Sequence, residues 1–208
     1  CIIDKINMER NCHIMTFEDP IEFIHRHKKS IVSQREINTD TESYVSCLRS
    51  ALRQAPDVLL IGEMRDLETI EIALTAAETG HLVLSTLHTT GAANTIDRII
   101  DVFPSNQQQQ VRIQLSMQLQ AVISQHLIPS PVLGRVAAFE IMLTNNAVAN
   151  LIRESKVHQL NSIIYSSEYM GMKAMDASIL ELYQKGLITR ENALLYATEP
   201  DSLIKYLQ

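Results

Sequence analysis

Short runs of apolar residues alternate with amphipathic segments along the first part of the chain. The run Val58–Ile61, which lies between a proline and a glycine, predicts a short strand buried on both faces. Residues 13–17 and 82–87 predict two more strands, the second of them buried, and residues 30–32 predict a shorter one. Amphipathic helices are predicted before and after Val58–Ile61. This order of strands and helices predicts a parallel sheet with crossover helices.

The pattern becomes mainly helical after Gly91. A long helix is predicted from about residue 106 to residue 126, and residues 135–142 predict one more strand. Beyond that strand every periodic segment is helical. We therefore predict an α/β core in residues 1–143, followed by an all-helical region in residues 144–208.

Composition narrows the class of protein. The chain has 208 residues, of which 46% are hydrophobic and 20% charged, as in an ordinary globular protein with one large or two small domains. Its net charge of -6 argues against binding nucleic acid as its main task. The three cysteines are scattered and odd in number, which predicts a reducing compartment. No apolar run approaches the roughly 18 residues of a membrane span, so we expect a cytosolic protein.

Carboxylates and one histidine follow the predicted strands at the points where the strands end. In chain order they are Glu18, Asp19, Glu22, Glu63, Asp66 and His88. The carboxyl ends of neighbouring parallel strands lie at one edge of a sheet, so these side chains are expected to converge. Carboxylates clustered without lysines favour a divalent cation or a raised pKa. Together with Mg²⁺ and a polar residue that senses the phosphate, such carboxylates are the groups that nucleoside triphosphate hydrolysis uses. A core strand followed by a solvated turn is the alternative for each segment taken alone.

The histidines differ in their expected roles. His81 and His88 lie at opposite ends of one predicted strand, roughly 23 Å apart if it is extended, so they cannot share a metal ion. His88, on the carboxylate side, is the candidate sensor of a phosphate or of water. His81 is expected to be structural or to lie at an interface. His25 and His27 have basic neighbours, which favours a solvated surface over a metal site.

Three segments resemble the signature boxes of the secretion-type ATPases. Residues 16–23 are similar to their acidic Asp box, and residues 79–89 are similar to their His box. Residues 60–66 resemble their atypical Walker B motif, in which Gly62 stands where other nucleotide hydrolases carry Asp. The matches occur in the order found in the family and, with the tail, span nearly the whole chain.

A fourth segment resembles a motif of one branch of that family. Residues 147–154 are similar to the AIRNLIRE motif of the type IV pilus retraction ATPases, with Val148 and Ala149 in place of its Ile-Arg. The resemblance favours the retraction branch over the assembly and type II secretion branches. Any functional role would fall on Arg153 and Glu154, whereas the apolar positions of the motif are also typical of a packed helix face.

The resemblance implies a RecA-like P-loop NTPase core that hydrolyses ATP with Mg²⁺ in a ring-shaped homo-hexamer. It implies a motor that retracts pili from the cytoplasmic face of the inner membrane, next to a pilus platform protein and without direct contact to nucleic acid. By motif match, Glu63 would be the catalytic carboxylate, and Gly62, Arg65 and Asp66 would belong to its motif. The residues implied in nucleotide binding are Glu18, Asp19, Glu22, His88, Arg49 and Arg53, with Glu22 and Glu18 also holding Mg²⁺ through water. Arg49 and Arg53 fit a subunit interface or a surface ion pair equally well.

The phosphate-binding loop of such enzymes is absent from the sequence. No G-x-x-x-x-G-K-[ST] occurs in the chain, which opens on Cys1 within a helical pattern. In the family this loop precedes that helix, so the resemblance implies a fragment that lacks the loop and an N-terminal domain. We expect the complete protein to be an ATPase and this fragment alone to bind ATP poorly. The alternatives are a regulatory or assembly subunit that has lost the loop, and a nucleic-acid motor, which the acidic composition disfavours.

Overall fold

A computed structural model describes residues 1–207, which form two compact units, one of residues 1–88 and one of residues 89–207. In the first unit the helices are α1 (Ile2–Glu9), α2 (Tyr44–Ala51) and α3 (Leu67–Glu78), and the strands are β1 (His13–Glu18), β2 (Ile31–Glu36), β3 (Val58–Ile61) and β4 (Leu82–Ser85). The four strands are parallel and lie in the order β2-β1-β3-β4. The predicted parallel sheet with crossover helices is therefore confirmed.

The central strands β1 and β3 are buried because both of their faces are covered by helices. Phe17 and Ile61 point to one face and pack with Leu48 of α2 and Ala73 of α3. On the other face the side chains that pack together are Ile14, Val58 and Val32, with Ile3 of α1. This double cover fixes the carboxyl ends of β1 and β3 side by side.

Strand β4 differs from the prediction of a fully buried strand over residues 82–87. It ends at Ser85, and all four of its residues are only half-buried. The physical reason is its place at the edge of the sheet, where it pairs with β3 alone.

Side-chain caps fix where α2 and α3 begin. The Ser43 hydroxyl accepts a hydrogen bond from the Ser46 N–H, and α2 begins at the next residue, Tyr44. Asp66 caps α3, because its carboxylate accepts hydrogen bonds from both the backbone N–H and the hydroxyl of Thr69. Both caps follow the preference of helix N-termini for short polar side chains.

Residues 89–207 of the second unit contain seven further helices. They are α4 (Ala92–Asp101), α5 (Ser105–Gln118), α6 (Asn146–Arg153), α7 (Leu160–Ser166), α8 (Met175–Gln184), α9 (Arg190–Tyr196) and α10 (Pro200–Leu203), with short 3₁₀ turns at Val157–Gln159, Glu168–Met170 and Ile204–Tyr206. None of the helices within residues 1–207 has both the length and the hydropathy that a membrane crossing requires. Every regular element from Asn146 onward is helical, as predicted. The proposed domain boundary after residue 143 stays a prediction.

The long helix predicted over residues 106–126 is wrong in its second half. Helix α5 ends at Gln118, and a strand, β5 (Ala121–Ser130), follows and pairs antiparallel with β6 (Gly134–Leu143). Burial along β5 largely alternates from one residue to the next, which is the period of a strand and not of a helix. The apolar residues of this segment satisfy both periods over a short window, and the pairing with β6 decides between them.

Candidate functional site

The carboxyl ends of β1, β3 and β4 are joined by a small set of hydrogen bonds. The Gly62 N–H donates to the Phe17 carbonyl at 2.7 Å, which links the segment after β3 to β1. The Thr86 hydroxyl donates to the Gly62 carbonyl at 2.5 Å, and the Met64 N–H donates to the Thr86 carbonyl at 3.1 Å. The segments that carry Glu63 and His88 are thus held next to each other at one edge of the sheet.

Glu63 lies at the centre of this edge, and both of its carboxylate oxygens have cationic or potentially cationic partners. Its side chain is 12% exposed, and Oε1 forms an ion pair with Arg65. Oε2 lies 3.2 Å from Nε2 of His88, whose own side chain is 87% exposed. The hydrogen bond from Arg65 lowers the pKa of Glu63 most; partial burial opposes this, and His88 lowers the pKa further. Glu63 therefore stays ionised and can accept hydrogen bonds or a proton.

Gly62 is required at its position because a side chain would not fit there. A Cβ atom at residue 62 would lie 3.0 Å from the Tyr44 hydroxyl oxygen, 3.1 Å from the Phe17 carbonyl oxygen and 3.4 Å from the Cα of Glu18. Two of these neighbours are backbone atoms of β1 and cannot move aside without disturbing the sheet. The absence of a side chain lets β1 and β3 approach closely just before Glu63.

Of the acidic residues at the end of β1, Glu18 is held by hydrogen bonds and Asp19 is exposed. The Oε1 atom of Glu18 accepts hydrogen bonds from the Thr16 hydroxyl at 2.7 Å and from the Gln34 amide at 3.0 Å. Asp19 is exposed, and its charge contributes to raising the pKa values of both Tyr44 and Arg65.

Glu22 is exposed on the following loop. Within residues 1–207 no three His, Cys, Asp or Glu side chains are placed to hold a metal ion together. The carboxylates after β1 therefore do not form a direct ligand set. The water-mediated contact to Mg²⁺ that the resemblance implies for Glu18 and Glu22 stays a prediction.

Several other predicted residues lie in local contacts of their own. Asp66 caps α3, and the His81 ring makes hydrogen bonds at the end of the same helix, with Nδ1 2.9 Å from the Ala76 carbonyl oxygen. Arg49 pairs with Glu68 at 2.7 Å on an exposed surface, and Arg53 is exposed nearby. These contacts do not bring the two arginines to Glu63.

The two tail residues form local contacts on α6 and in the turn after it. The Arg153 guanidinium donates to the Asn150 side chain at 2.9 Å, and Glu154 pairs with Lys156 at 2.7 Å. Of the apolar positions of the same motif, Val148 and Ile152 are fully buried, Leu151 is half-buried and Ala147 is exposed. The packed helix face considered above is therefore present, and both charged residues remain on the surface.

Sequence reasoning missed two residues of the site, Tyr44 and Thr86. Tyr44 is the first residue of α2, and its hydroxyl oxygen lies 3.0 Å from the position that a Cβ atom of residue 62 would take. Burial raises the pKa of Tyr44 most, and the charges of Asp19 and Glu63 raise it further. A tyrosine at the start of a helix that packs near the end of a sheet is a signal that could have identified it.

Replacing Arg65 by alanine is expected to raise the pKa of Glu63. The ion pair favours the charged form of the carboxylate, so its loss makes protonation easier and moves the pKa up towards its ordinary value. Carboxyl-selective NMR titration of Glu63 measures this shift directly. The matched control is Lys173→Ala, which removes the hydrogen bond that lowers the pKa of Glu181 and should leave Glu63 unchanged. An unchanged Glu63 titration in Arg65→Ala would contradict the ion pair.

Comparison with known proteins identifies the family. The model of the family described as "Type II/IV secretion system protein" matches residues 1–194. The chain belongs to this family. Among Type II/IV secretion system proteins it is 54% identical over 201 residues to the "Type IV pilus retractation ATPase PilT" of Pseudomonas aeruginosa, covering 97% of this chain and 58% of that protein. It is 53% identical over 203 residues to a "Twitching motility protein" of Neisseria gonorrhoeae, covering 97% of this chain and 54% of that one.

Solved structures of secretion ATPases share the fold. A crystal structure of the pilus retraction motor PilT with bound ADP superposes with a TM-score of 0.91 at 52% identity, covering 98% of this chain and 58% of that one. The Legionella pneumophila ATPase DotB superposes with a TM-score of 0.83 at 30% identity, covering 93% and 54%. The family and fold expected from the motifs are confirmed. The chain spans 58% and 54% of the two curated relatives named above.

Proposed function

We propose that this chain supplies the water-activating part of an ATP-hydrolysing motor that retracts type IV pili. The observation that carries the proposal is the ionised Glu63, held by Arg65 and His88 where three strand ends meet. The similarity over nearly the whole chain to a pilus retraction ATPase supports the choice of reaction and machine.

In the proposed reaction, Glu63 orients the attacking water molecule. As the water oxygen bonds to the γ-phosphorus and the bond to the β-phosphate oxygen breaks, the proton of the water passes to Glu63 or to a phosphate oxygen. Because the pKa of Glu63 is lowered, its main contribution is orientation, which suits a loose phosphoryl-transfer transition state. His88 is exposed on the same edge of the sheet. In the proposed reaction its ring donates a hydrogen bond to the transferred phosphoryl group and so acts as a sensor of that group.

The acidic segment after β1 is proposed to face the metal. Mg²⁺, when bound with ATP, supplies positive charge that neutralises the phosphates. Asp19, Glu18 and Glu22 would accept hydrogen bonds from water on the ion. Arg49 lies on the helix that starts at Tyr44, and Arg53 follows shortly after that helix ends. Both are proposed to act at the nucleotide or at a subunit interface.

The proposal requires phosphate-binding groups beyond residues 1–208, because the chain has no phosphate-binding loop. We also propose that residues 1–143 form a RecA-like core and residues 144–208 a helical domain of a homo-hexamer. Arg153 and Glu154, on the exposed side of α6 and its turn, are proposed to contact the pilus machine at the cytoplasmic face of the inner membrane. The platform protein in that membrane is the proposed partner.

The proposal is tested with the complete protein encoded by the gene that contains this chain. We expect the complete protein to hydrolyse ATP, and chelation of Mg²⁺ to stop hydrolysis. We expect the isolated chain of residues 1–208 to bind ATP at least about 100-fold more weakly in titration calorimetry, because it lacks the phosphate cradle. In cells, deletion of the gene should leave pili that no longer retract, and the intact gene should restore twitching.

Three outcomes would count against the proposal. Tight ATP binding by residues 1–208 alone would show that the phosphate site lies within this chain. A complete protein that binds ATP without hydrolysing it would favour a regulatory subunit. Normal twitching after deletion of the gene would contradict the proposed role in pilus retraction, whereas the proposed ATPase activity would still stand.

A further inference from the structure

The Tyr44 hydroxyl occupies the point where the ends of β1 and β3 meet. It lies 3.0 Å from the position that a Cβ of residue 62 would take, and the Phe17 carbonyl lies 3.1 Å from the same point. Strand β1 ends at Glu18 and is followed by Asp19, and the residue after Gly62 is Glu63. No other aromatic hydroxyl within residues 1–207 approaches Gly62 as closely.

The Tyr44 side chain is held rigidly from its other end. Its ring packs against the core cluster that contains Phe17, Leu48 and Ile61, and its backbone begins a helix capped by Ser43. Within residues 1–207 the hydroxyl donates to no protein acceptor. A fixed donor without a protein partner, among carboxylates, is placed to hydrogen-bond through water.

The charged residues near Tyr44 favour the protonated form of its hydroxyl. The charges of Asp19, Glu63 and Glu18 all act on Tyr44 in the direction that keeps its proton in place, and only Arg65 opposes them. The hydroxyl therefore remains a donor when the carboxylates around it are ionised.

We propose that Tyr44 is a positioning residue of this site, whose hydroxyl holds the carboxylate of Glu63 in its productive orientation through a bridging water molecule. This role rests on the proposed ATPase function and adds to it a residue outside the three motif segments. Arg65 and His88 each contact one carboxylate oxygen of Glu63, and in this proposal Tyr44 adds a third contact through water.

The test is Tyr44→Phe in the complete protein, which removes only the hydroxyl. We expect kcat for ATP hydrolysis to fall about 10-fold, with KM within about twofold of the unmodified value, because an orienting hydrogen bond matters in the chemical step. The control is Tyr169→Phe, since that side chain is 85% exposed in the other unit. Its kcat and KM should both stay unchanged.

A second variant distinguishes the contribution of the Tyr44 hydroxyl from that of its ring. Tyr44→Leu should lose as much kcat as Tyr44→Phe, and also lower the melting temperature because the ring packs on the core. If Tyr44→Phe keeps full kcat, or loses activity only through a raised KM or a lower melting temperature, the inference is overturned and the ATPase proposal stands. If the unmodified protein does not hydrolyse ATP, both are overturned.

Discussion

Replacing Glu63 by glutamine should slow steady-state ATP hydrolysis by the complete protein by about 100-fold or more, with ATP affinity retained within about threefold. Glutamine has nearly the same shape but no charge, and it cannot take a proton from water. Retained affinity is expected because the proposal places Glu63 at the attacking water and assigns phosphate binding to other groups. Steady-state phosphate release and equilibrium binding of a labelled nucleotide measure the two quantities.

The chain offers a matched control for this substitution. Glu181 also pairs with two cations, Lys173 at 2.9 Å and Lys185 at 3.8 Å, and its pKa is lowered in the same way. Glu181→Gln removes an equivalent charge far from the three motif segments in sequence, and hydrolysis should be unaffected. Turnover by Glu63→Gln within a few-fold of the unmodified rate would remove Glu63 from the proposed role.

The second large effect is expected from Gly62→Asp, which introduces the residue that other nucleotide hydrolases carry at this point. The new side chain would begin 3.0 Å from the Tyr44 hydroxyl and 3.1 Å from the Phe17 carbonyl. Overpacking against backbone should lower the free energy of unfolding by about 3 kcal/mol, and a carboxylate facing a carbonyl oxygen adds repulsion. Denaturant unfolding of the complete protein measures the loss.

Two further variants identify which contact matters at residue 62. Gly62→Ala should destabilise less than Gly62→Asp, and adding Tyr44→Phe to Gly62→Ala should recover part of the loss by removing the closer contact. The 3.1 Å contact to the Phe17 carbonyl remains in that double variant, so recovery should be incomplete. Wild-type stability in Gly62→Asp would contradict the close approach of β1 and β3.

The fold of the first unit could be predicted from sequence because its signals are local. The apolar run Val58–Ile61 is too short for a helix and too apolar for a surface strand, so it fixes a buried strand. The order of strands along the chain then predicts which carboxyl ends share an edge. The pattern therefore predicts the proximity of Glu63 and His88, which are 25 residues apart in sequence and in contact at 3.2 Å in the structure.

The features that could not be predicted depend on contacts between distant segments. The short apolar pattern of β5 is compatible with both a strand and a helix, and only the pairing with β6 makes this segment a strand. Asp66 stands among the site carboxylates in sequence, yet two hydrogen bonds from Thr69 make it a helix cap. The Tyr44 hydroxyl lies 3.0 Å from the position of a Cβ atom at residue 62, an approach that sequence spacing does not encode.

The central claim is that Glu63 acts on the attacking water. It is tested most directly by a single-turnover measurement, in which the complete protein and its Glu63→Gln variant are loaded with ATP, started with Mg²⁺ and quenched at intervals. We predict that bound ATP is hydrolysed at least about 100-fold more slowly in the variant, at equal occupancy of the site. Equal rates of hydrolysis of bound ATP in the two proteins would contradict the claim.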